Sequence, residues 1–336
     1  MRRPPRIVEL EVTLACNLRC IHCYCMAGRR HERELKTEEI RSLMADLKDM
    51  GVWALDLVGG EPFTRPDIFD LLRHAKEIGL RVMINTNGTL VTEDVALRLK
   101  ESNPDTIVGV SLDGPDPETN DLVRGEGNFE RAIRGLRIFV DHGFDPVILH
   151  VVNAVNWRRF EEMIDLAKNL GVRKIYVDRF IPVGRGKDSA PVLDMDTAGW
   201  MEAISHVRSV IEEHEAEIVF YIEENISGDP CSAGVSHASI LVDGTVVPCG
   251  HFRYTPELYM GNIRYKKFSD IWNEYDPLVL GRPKECLSCP LLESCGGGCR
   301  AVSLHEYSSL DIPDVPICNL NRIRAGLDTI FEVRKG

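Results

Sequence analysis

From residue 6 to about residue 185, short apolar, β-branched runs alternate with stretches whose apolar residues recur every three to four positions. The runs predict strands at Ile7–Thr13, Ala54–Val58, Arg81–Asn85, Thr106–Leu112, Val147–Asn153 and Lys174–Phe180. The amphipathic stretches predict helices at Thr37–Met50, Asp67–Ile78, Thr92–Glu101, Asn128–Asp141 and Trp157–Leu170. Thr37 and Thr92 stand where N-caps belong, and Gly51, Gly79, Gly143 and Gly171 where helices stop. Repeated strand–helix units predict an α/β fold with a parallel sheet and right-handed crossovers. Six such strands are too few for a closed eight-stranded barrel, so an open, partial (β/α)6 barrel is expected. Its chemistry belongs at the C-terminal ends of the strands, where the loops converge.

The pattern changes further on. Residues 187–230 read as a polar linker with one helix, Thr197–Glu213, and one strand, Glu217–Tyr221. From residue 231 helical periodicity fades and Gly, Pro and Cys dominate. Ser239–Val242 and Thr245–Val247 flank Asp243-Gly244, a strong hairpin turn. Ser269–Glu274 is a short helical segment, and a last helix is expected near Asn321–Arg334. The expected organisation is a partial barrel over 1–186, a linker over 187–230 and a small cysteine-rich domain over 231–336. Its thin apolar content suggests a domain held together by metal.

Composition narrows the function. The 336 residues are 44% hydrophobic, enough for a full core, and 40 basic against 52 acidic side chains leave a net charge of −12. That balance argues against a nucleic-acid binder. There is no apolar run near about 18 residues, so no membrane helix is expected. The start, Met-Arg-Arg-Pro-Pro-Arg, leads into no secretory h-region, and the cytoplasm is the expected location. The 11 cysteines change the picture most. An odd count in such a chain disfavours a disulfide framework. Four lie at 16, 20, 23 and 25, none follows until 231, and seven then come at 231, 249, 286, 289, 295, 299 and 318. Clustered thiolates point to zinc or iron–sulfur chemistry.

Cys16, Cys20 and Cys23 form C-x-x-x-C-x-x-C just after the first strand. Three thiolates can hold three irons of a cubane and leave the fourth iron open, whereas electron-transfer [4Fe–4S] sites use four cysteines. Zinc is the alternative, although its loops usually pair two-residue gaps. With Tyr24 directly after, this loop resembles the signature of radical S-adenosylmethionine (SAM) enzymes. Gly59-Gly60-Glu61-Pro62 resembles the family's GGEP motif, which contacts the methionine amino group. Asn85-Thr86-Asn87-Gly88 is also typical. Ser111-Leu112-Asp113-Gly114 resembles the segment near the ribose, Arg124-Gly125 an arginine aimed at the SAM carboxylate, and Arg179–Gly186 the segment near the adenine. Glycines at 59 and 60 let backbone approach a ligand closely. Glu61 can pair with an ammonium, and Arg124 can grip a carboxylate. The bland alternatives are an ordinary Asp-Gly-Pro turn for Ser111 and Asp113 and a helix-start charge for Arg124.

The later cysteines resemble the SPASM domain, an auxiliary-cluster extension of many radical SAM maturases. The resemblance implies that Cys231, Cys249 and Cys299 bind a first auxiliary [4Fe–4S] cluster. It implies that Cys286, Cys289, Cys295 and Cys318 bind a second. The first is then one protein ligand short. Substrate, water, His237 or His251 could complete it, although each histidine also reads as a packing residue. Cys25 is left over, either as a neighbour of the cluster loop or as a thiol that donates hydrogen to a substrate radical.

The family mechanism implies reductive cleavage of SAM to a 5′-deoxyadenosyl radical, with hydrogen abstraction from a substrate C–H bond and electrons from ferredoxin or flavodoxin. A ribosomally made peptide is the expected substrate, undergoing oxidation, crosslinking or epimerisation. Small molecules such as aminocyclitols or tetrapyrroles are the alternative. Only 15 residues precede Cys16, so leader recognition is expected either from a separate protein or not at all. Sulfatase maturases place an aspartate after the second SPASM cysteine; Gly250 and His251 follow Cys249 here. From outside the family, a zinc-binding interaction module and an electron-transfer protein remain to be weighed.

Overall fold

The computed structural model describes residues 2–330. Ten strands are present: β1 (Ile7–Thr13), β2 (Ala54–Gly59), β3 (Val82–Thr86), β4 (Ile107–Ser111), β5 (Val147–Val152), β6 (Lys174–Arg179), β7 (Val219–Ile222), β8 (His237–Ile240), β9 (Thr245–Val247) and β10 (Gly261–Asn262). They make one sheet in the order β10-β9-β8-β1-β2-β3-β4-β5-β6-β7. Pairing is parallel from β8 through β1 to β7, and antiparallel only at β8–β9 and β9–β10.

Strand alternation explains how the sheet is used. On β6, Ile175 and Val177 are buried while Lys174, Tyr176 and Asp178 are partly exposed, and β3 and β5 repeat the pattern. The buried row packs under the helices in one continuous core with Val8, Leu10, Leu55, Leu57 and Ile84. The opposite row faces an open interior.

The helices are α1 (Thr37–Met50), α2 (Ile68–Glu77), α3 (Glu93–Ser102), α4 (Pro117–Arg124), α5 (Asn128–Asp141), α6 (Phe160–Asn169), α7 (Gly186–Leu193) and α8 (Thr197–His214). The cysteine-rich region adds α9 (Glu224–Ser227) just ahead of it, then α10 (Phe268–Glu274), α11 (Leu292–Cys295), α12 (Arg300–Tyr307) and α13 (Val315–Arg324). Several expectations are corrected. Lys36, not Thr37, caps α1, and the Thr37 hydroxyl instead donates to Asp67 at 2.6 Å. Thr92 does cap α3, accepting from the Val95 amide. Arg124 ends one helix as well as preceding another: Asp116 caps α4 by accepting from the Thr119 amide, and Gly125 at φ +102° begins the turn into α5. The supposed linker begins with α7, which its internal Pro191 disguises. The last helix runs over Val315–Arg324, earlier than expected, and residues 331–336 lie outside the described ones.

Segments beyond the six-strand core are built into the same sheet. β7 pairs with β6, and β8 pairs with β1 over Ile7–Leu10. Arg2 ties the N-terminus to the cysteine-rich region, stacking 4.4 Å from the Trp272 ring and donating to the Gly234 carbonyl. At the other side Arg179 at the end of β6 is buried on Trp200 and paired with Asp314 at 3.1 Å and Glu306.

Candidate functional site

Cys16, Cys20 and Cys23 lie on the loop leaving β1, at the C-terminal edge of the parallel strands. The loop is held by its neighbours' backbone. The Gly60 amide donates to Thr13 and the Glu61 amide to Ala15. A Cβ on Gly60 would stand 2.2 Å from the Ala15 carbonyl, and one on Gly59 2.3 Å from that of Thr13. The approach of two chain segments therefore already requires glycine at both positions. Arg185 braces the loop from the far side, donating from Nε to the Cys20 carbonyl at 3.0 Å and from Nη1 to that of Ala27 at 2.9 Å.

None of the three thiols is in a disulfide, and each is partly exposed. Each has local polar support. The Leu18 amide donates to Cys16 Sγ at 3.4 Å, and Asn87 Nδ2 lies 3.9 Å from the same sulfur. Burial pushes the Cys20 thiol up to about 11, while a hydrogen bond from Cys25 pulls Cys23 down to about 6. Cys25 itself is 4% exposed and donates to the Gly59 carbonyl at 3.5 Å. As placed, it is a packing neighbour of the loop, its sulfur 3.6 Å from that of Cys23.

Glu61 is fully buried and accepts from the Thr86 hydroxyl, the Asn87 amide and the Phe63 amide at 2.8–3.1 Å. Burial pushes its carboxyl up to about 7 against those bonds. Asp113, expected near a ribose, is also fully buried and pairs with Arg124 at 2.7 Å. Burial would raise its carboxyl, but Arg124 and the imidazoles of His22 and His150 outweigh it and hold it below the usual range. The Arg124 guanidinium, expected to reach for a carboxylate, thus holds one of this chain's own. Ser111 ends β4, partly exposed. Asn85 points lower into the interior and donates to Asp56 at 2.9 Å. The Tyr24 ring centroid lies 5.3 Å from that of His251, and Tyr24 packs against the same apolar cluster, with Ile181, Val183 and Phe252, that Cys231, Cys249 and Cys299 border.

The later cysteines fall into two groups. Cys231 hydrogen-bonds Cys299, and Cys249 joins them, with His251 Nδ1 3.5 Å from its sulfur. Cys286, Cys289, Cys295 and Cys318 line one pocket with Gly297 and Arg322. Four thiols around one cavity suit a cubane, as do the three on the first loop. His237 instead pairs with Glu9 at 3.5 Å and lies 3.3 Å from the Ser239 hydroxyl.

Some functional residues escaped sequence reasoning. Arg185 lay inside a segment read as near the adenine, and His22 lay between two candidate ligands. His22 stands 3.5 Å from Asp113. The inward acids Glu9, Asp56 and Asp178 had a usable signal: charged residues alternating within apolar runs such as Val8-Glu9-Leu10 and Leu55-Asp56-Leu57.

With this geometry in view, relatives can be compared. The radical SAM superfamily profile matches residues 10–167, and that of an iron–sulfur cluster-binding domain, SPASM, matches residues 231–296. An AdoMet-dependent heme synthase of Methanosarcina barkeri is 31% identical, over 90% of this chain and 93% of its own. Mycofactocin maturase MftC of Mycolicibacterium smegmatis is 31% identical, over 94% and 82%. SuiB of Streptococcus suis, solved with S-adenosylmethionine, superposes with a TM-score of 0.76 at 24% identity, over 95% and 78%, and shows the same fold. The chain belongs to the radical SAM superfamily and carries a SPASM domain. It is an enzyme that depends on iron–sulfur chemistry and SAM. Among the described residues no helix is long and apolar enough to cross a membrane.

Proposed function

We propose that the enzyme reductively cleaves SAM and takes hydrogen from a C–H bond of a peptide, leading to its oxidation, crosslinking or epimerisation. The observation that carries the first half is the C-x-x-x-C-x-x-C loop braced at the strand ends beside buried Glu61. Cys16, Cys20 and Cys23 hold a [4Fe–4S] cluster. The three-cysteine group Cys231, Cys249 and Cys299 holds one auxiliary cluster, and the four-cysteine group holds the other. When bound, the cluster and SAM together supply one-electron cleavage of the sulfonium and the hydrogen-atom acceptor.

The residues of the chain do the positioning. Glu61 orients the Thr86–Asn87 turn beside Cys16. Asp113 holds Arg124 against the carbonyl side of the Cys20 turn, where the Arg124 carbonyl meets Cys20 Sγ at 3.8 Å. Gly59, Gly60, Asn85, Ser111 and Tyr24 shape the surroundings. A reductant such as ferredoxin or flavodoxin supplies the electron.

A peptide is favoured over a tetrapyrrole by the barrel interior, whose inward Glu9, Asp56 and Asp178 would repel a polycarboxylated macrocycle. SuiB, which has this fold, has been solved with its precursor peptide SuiA. A tetrapyrrole is the second substrate reading, supported by the near full-length similarity to the heme synthase.

The test is anaerobic reconstitution followed by dithionite and SAM. We expect about twelve irons per chain and formation of 5′-deoxyadenosine. Changing Cys16, Cys20 and Cys23 to Ala should abolish that product; its persistence would sink the proposal. Zinc without iron would favour an interaction module, and iron without SAM cleavage an electron carrier.

A further inference from the structure

The interior of the barrel holds more carboxylates than its own cations balance. Glu9, Asp56 and Asp178 project inward from β1, β2 and β6, since their neighbours Val8, Leu10, Leu55, Leu57 and Val177 belong to the helix-packed core. Glu223 and Glu224 follow directly after β7, and the Glu223 amide still pairs with the Val177 carbonyl. Glu9 is matched by His237. Glu11 is matched by Arg253, which is thereby removed from the balance, and Lys174 pairs with Asp145. Among the described residues, Asp56, Asp178, Glu223 and Glu224 form no ion pair within 4 Å; His237 acts on Asp56, Glu223 and Glu224 only from further off, and Glu223 shares hydrogen bonds with Tyr176 and Glu224.

Two buried acceptor atoms there also lack partners. Asp56 is 6% exposed; its Oδ2 accepts from Asn85, but its Oδ1 has no donor. Asn225, 4% exposed, donates to Asp178 at 2.8 Å and leaves its own Oδ1 unmet. A buried acceptor without a donor costs stability, and such atoms persist where a ligand meets them. Burial and the neighbouring acids push Asp56 up to about 7 and Asp178 up to about 6, the response of a carboxylate group still awaiting a counter-charge.

We propose that the barrel interior receives a basic group of the substrate, an ammonium or guanidinium, which Asp56, Asp178, Glu223 and Glu224 bind through charge-assisted hydrogen bonds with Asn225 as a further acceptor. This rests on the enzyme acting on an organic substrate inside the barrel, and it names the chemistry that the substrate must carry. A guanidinium offers five N–H donors and suits an acceptor-rich site.

The test uses reconstituted, unreduced enzyme with SAM bound, titrated calorimetrically under anaerobic conditions. The probes are Gly-Gly-Arg-Gly-Gly, the same peptide with neutral citrulline or with Glu in place of Arg, and agmatine. We expect the arginine peptide to bind about tenfold or more tighter than the citrulline peptide, and the glutamate peptide weakest. Agmatine binding as tightly as the peptide identifies a small amine as the source of the cation; a much weaker agmatine identifies a peptide side chain. The preference for arginine should shrink about fivefold or more in Asp56→Asn, and independently in an Asp178→Asn, Glu223→Gln double variant, each checked for iron content and thermal midpoint.

Equal binding of arginine and citrulline peptides, absence of binding by every cationic probe, or a preference surviving both variants would overturn the proposal. So would cation binding seen only when SAM is absent, since the acids would then serve the SAM sulfonium. Formation of 5′-deoxyadenosine by the same wild-type preparation separates the two levels. Cleavage without cation preference removes this inference alone, and absent cleavage removes the catalytic reading.

Discussion

At the scale of single residues, burial decides the charge state of the interior. Asp56 has a folded pKa of about 7, raised by burial and then by Glu9. Its unfolded value is near about 4. The folded state therefore keeps a proton that the unfolded chain releases, and the associated stability is full below about pH 4 and is lost as pH rises towards about 7. Wild-type enzyme should lose about 3–4 kcal/mol between pH 4 and pH 8 from this group, and Asp56→Asn should not. Thermal midpoints of both proteins across that range check it; parallel profiles would contradict it. Cys25 makes a second case at this scale. With its thiol buried on the Gly59 carbonyl, Cys25→Ser should keep SAM cleavage and product formation at wild-type order. Product loss with intact cleavage would restore the hydrogen-donor role.

At the scale of elements, the cluster loop is rigid because other segments hold it. Arg185, just ahead of α7, satisfies two loop carbonyls, and Gly184 lies so close that a Cβ would sit 2.3 Å from the Tyr24 carbonyl. Removing the guanidinium leaves both carbonyls short of a partner, at about 1–3 kcal/mol each. Arg185→Met should shed iron from the first site several times faster in a chelator challenge, read at the iron–sulfur absorption band. The join between β6 and α13 supplies a stability test. Asp314 is fully buried, pairs with Arg179 and caps α13 through the Ile317 amide. Asp314→Ala would leave a buried guanidinium with half its partners and should cost about 3–5 kcal/mol in denaturant unfolding.

At the scale of the whole molecule, the cysteine-rich region and the barrel share a sheet. β8 covers the β1 edge over four residue pairs, and β7 covers the β6 edge. A chain ending at residue 230 would expose the β1 edge and the apolar surfaces under Ile240, Phe268 and Trp272, all buried in the full chain. Exposed edges of this kind drive aggregation. Such a truncation should elute as aggregates, with no protected β1 amides in hydrogen exchange; a monomer with protected β1 amides would show that the barrel stands alone.

The chain by itself determined the order of the parallel strands and helices, because their periods of two and 3.6 are local properties. It also exposed the three groups of cysteines, since ligand spacing is written along the chain. The Asp-Gly hairpin at 243–244 was legible for the same reason. Helix α4 was hidden by a Pro-rich turn, and α7 by an internal proline. Tertiary structure alone decided that Gly59 and Gly60 lie against the Thr13 and Ala15 carbonyls, that Asp113 is taken by Arg124, and that Tyr24 joins the first loop to Cys249 through His251. It alone gathered Asp56, Asp178 and Glu223 into one interior. Each depends on residues distant in sequence meeting across a folded sheet, and the energy of a buried charge is set by those neighbours rather than by the residue itself.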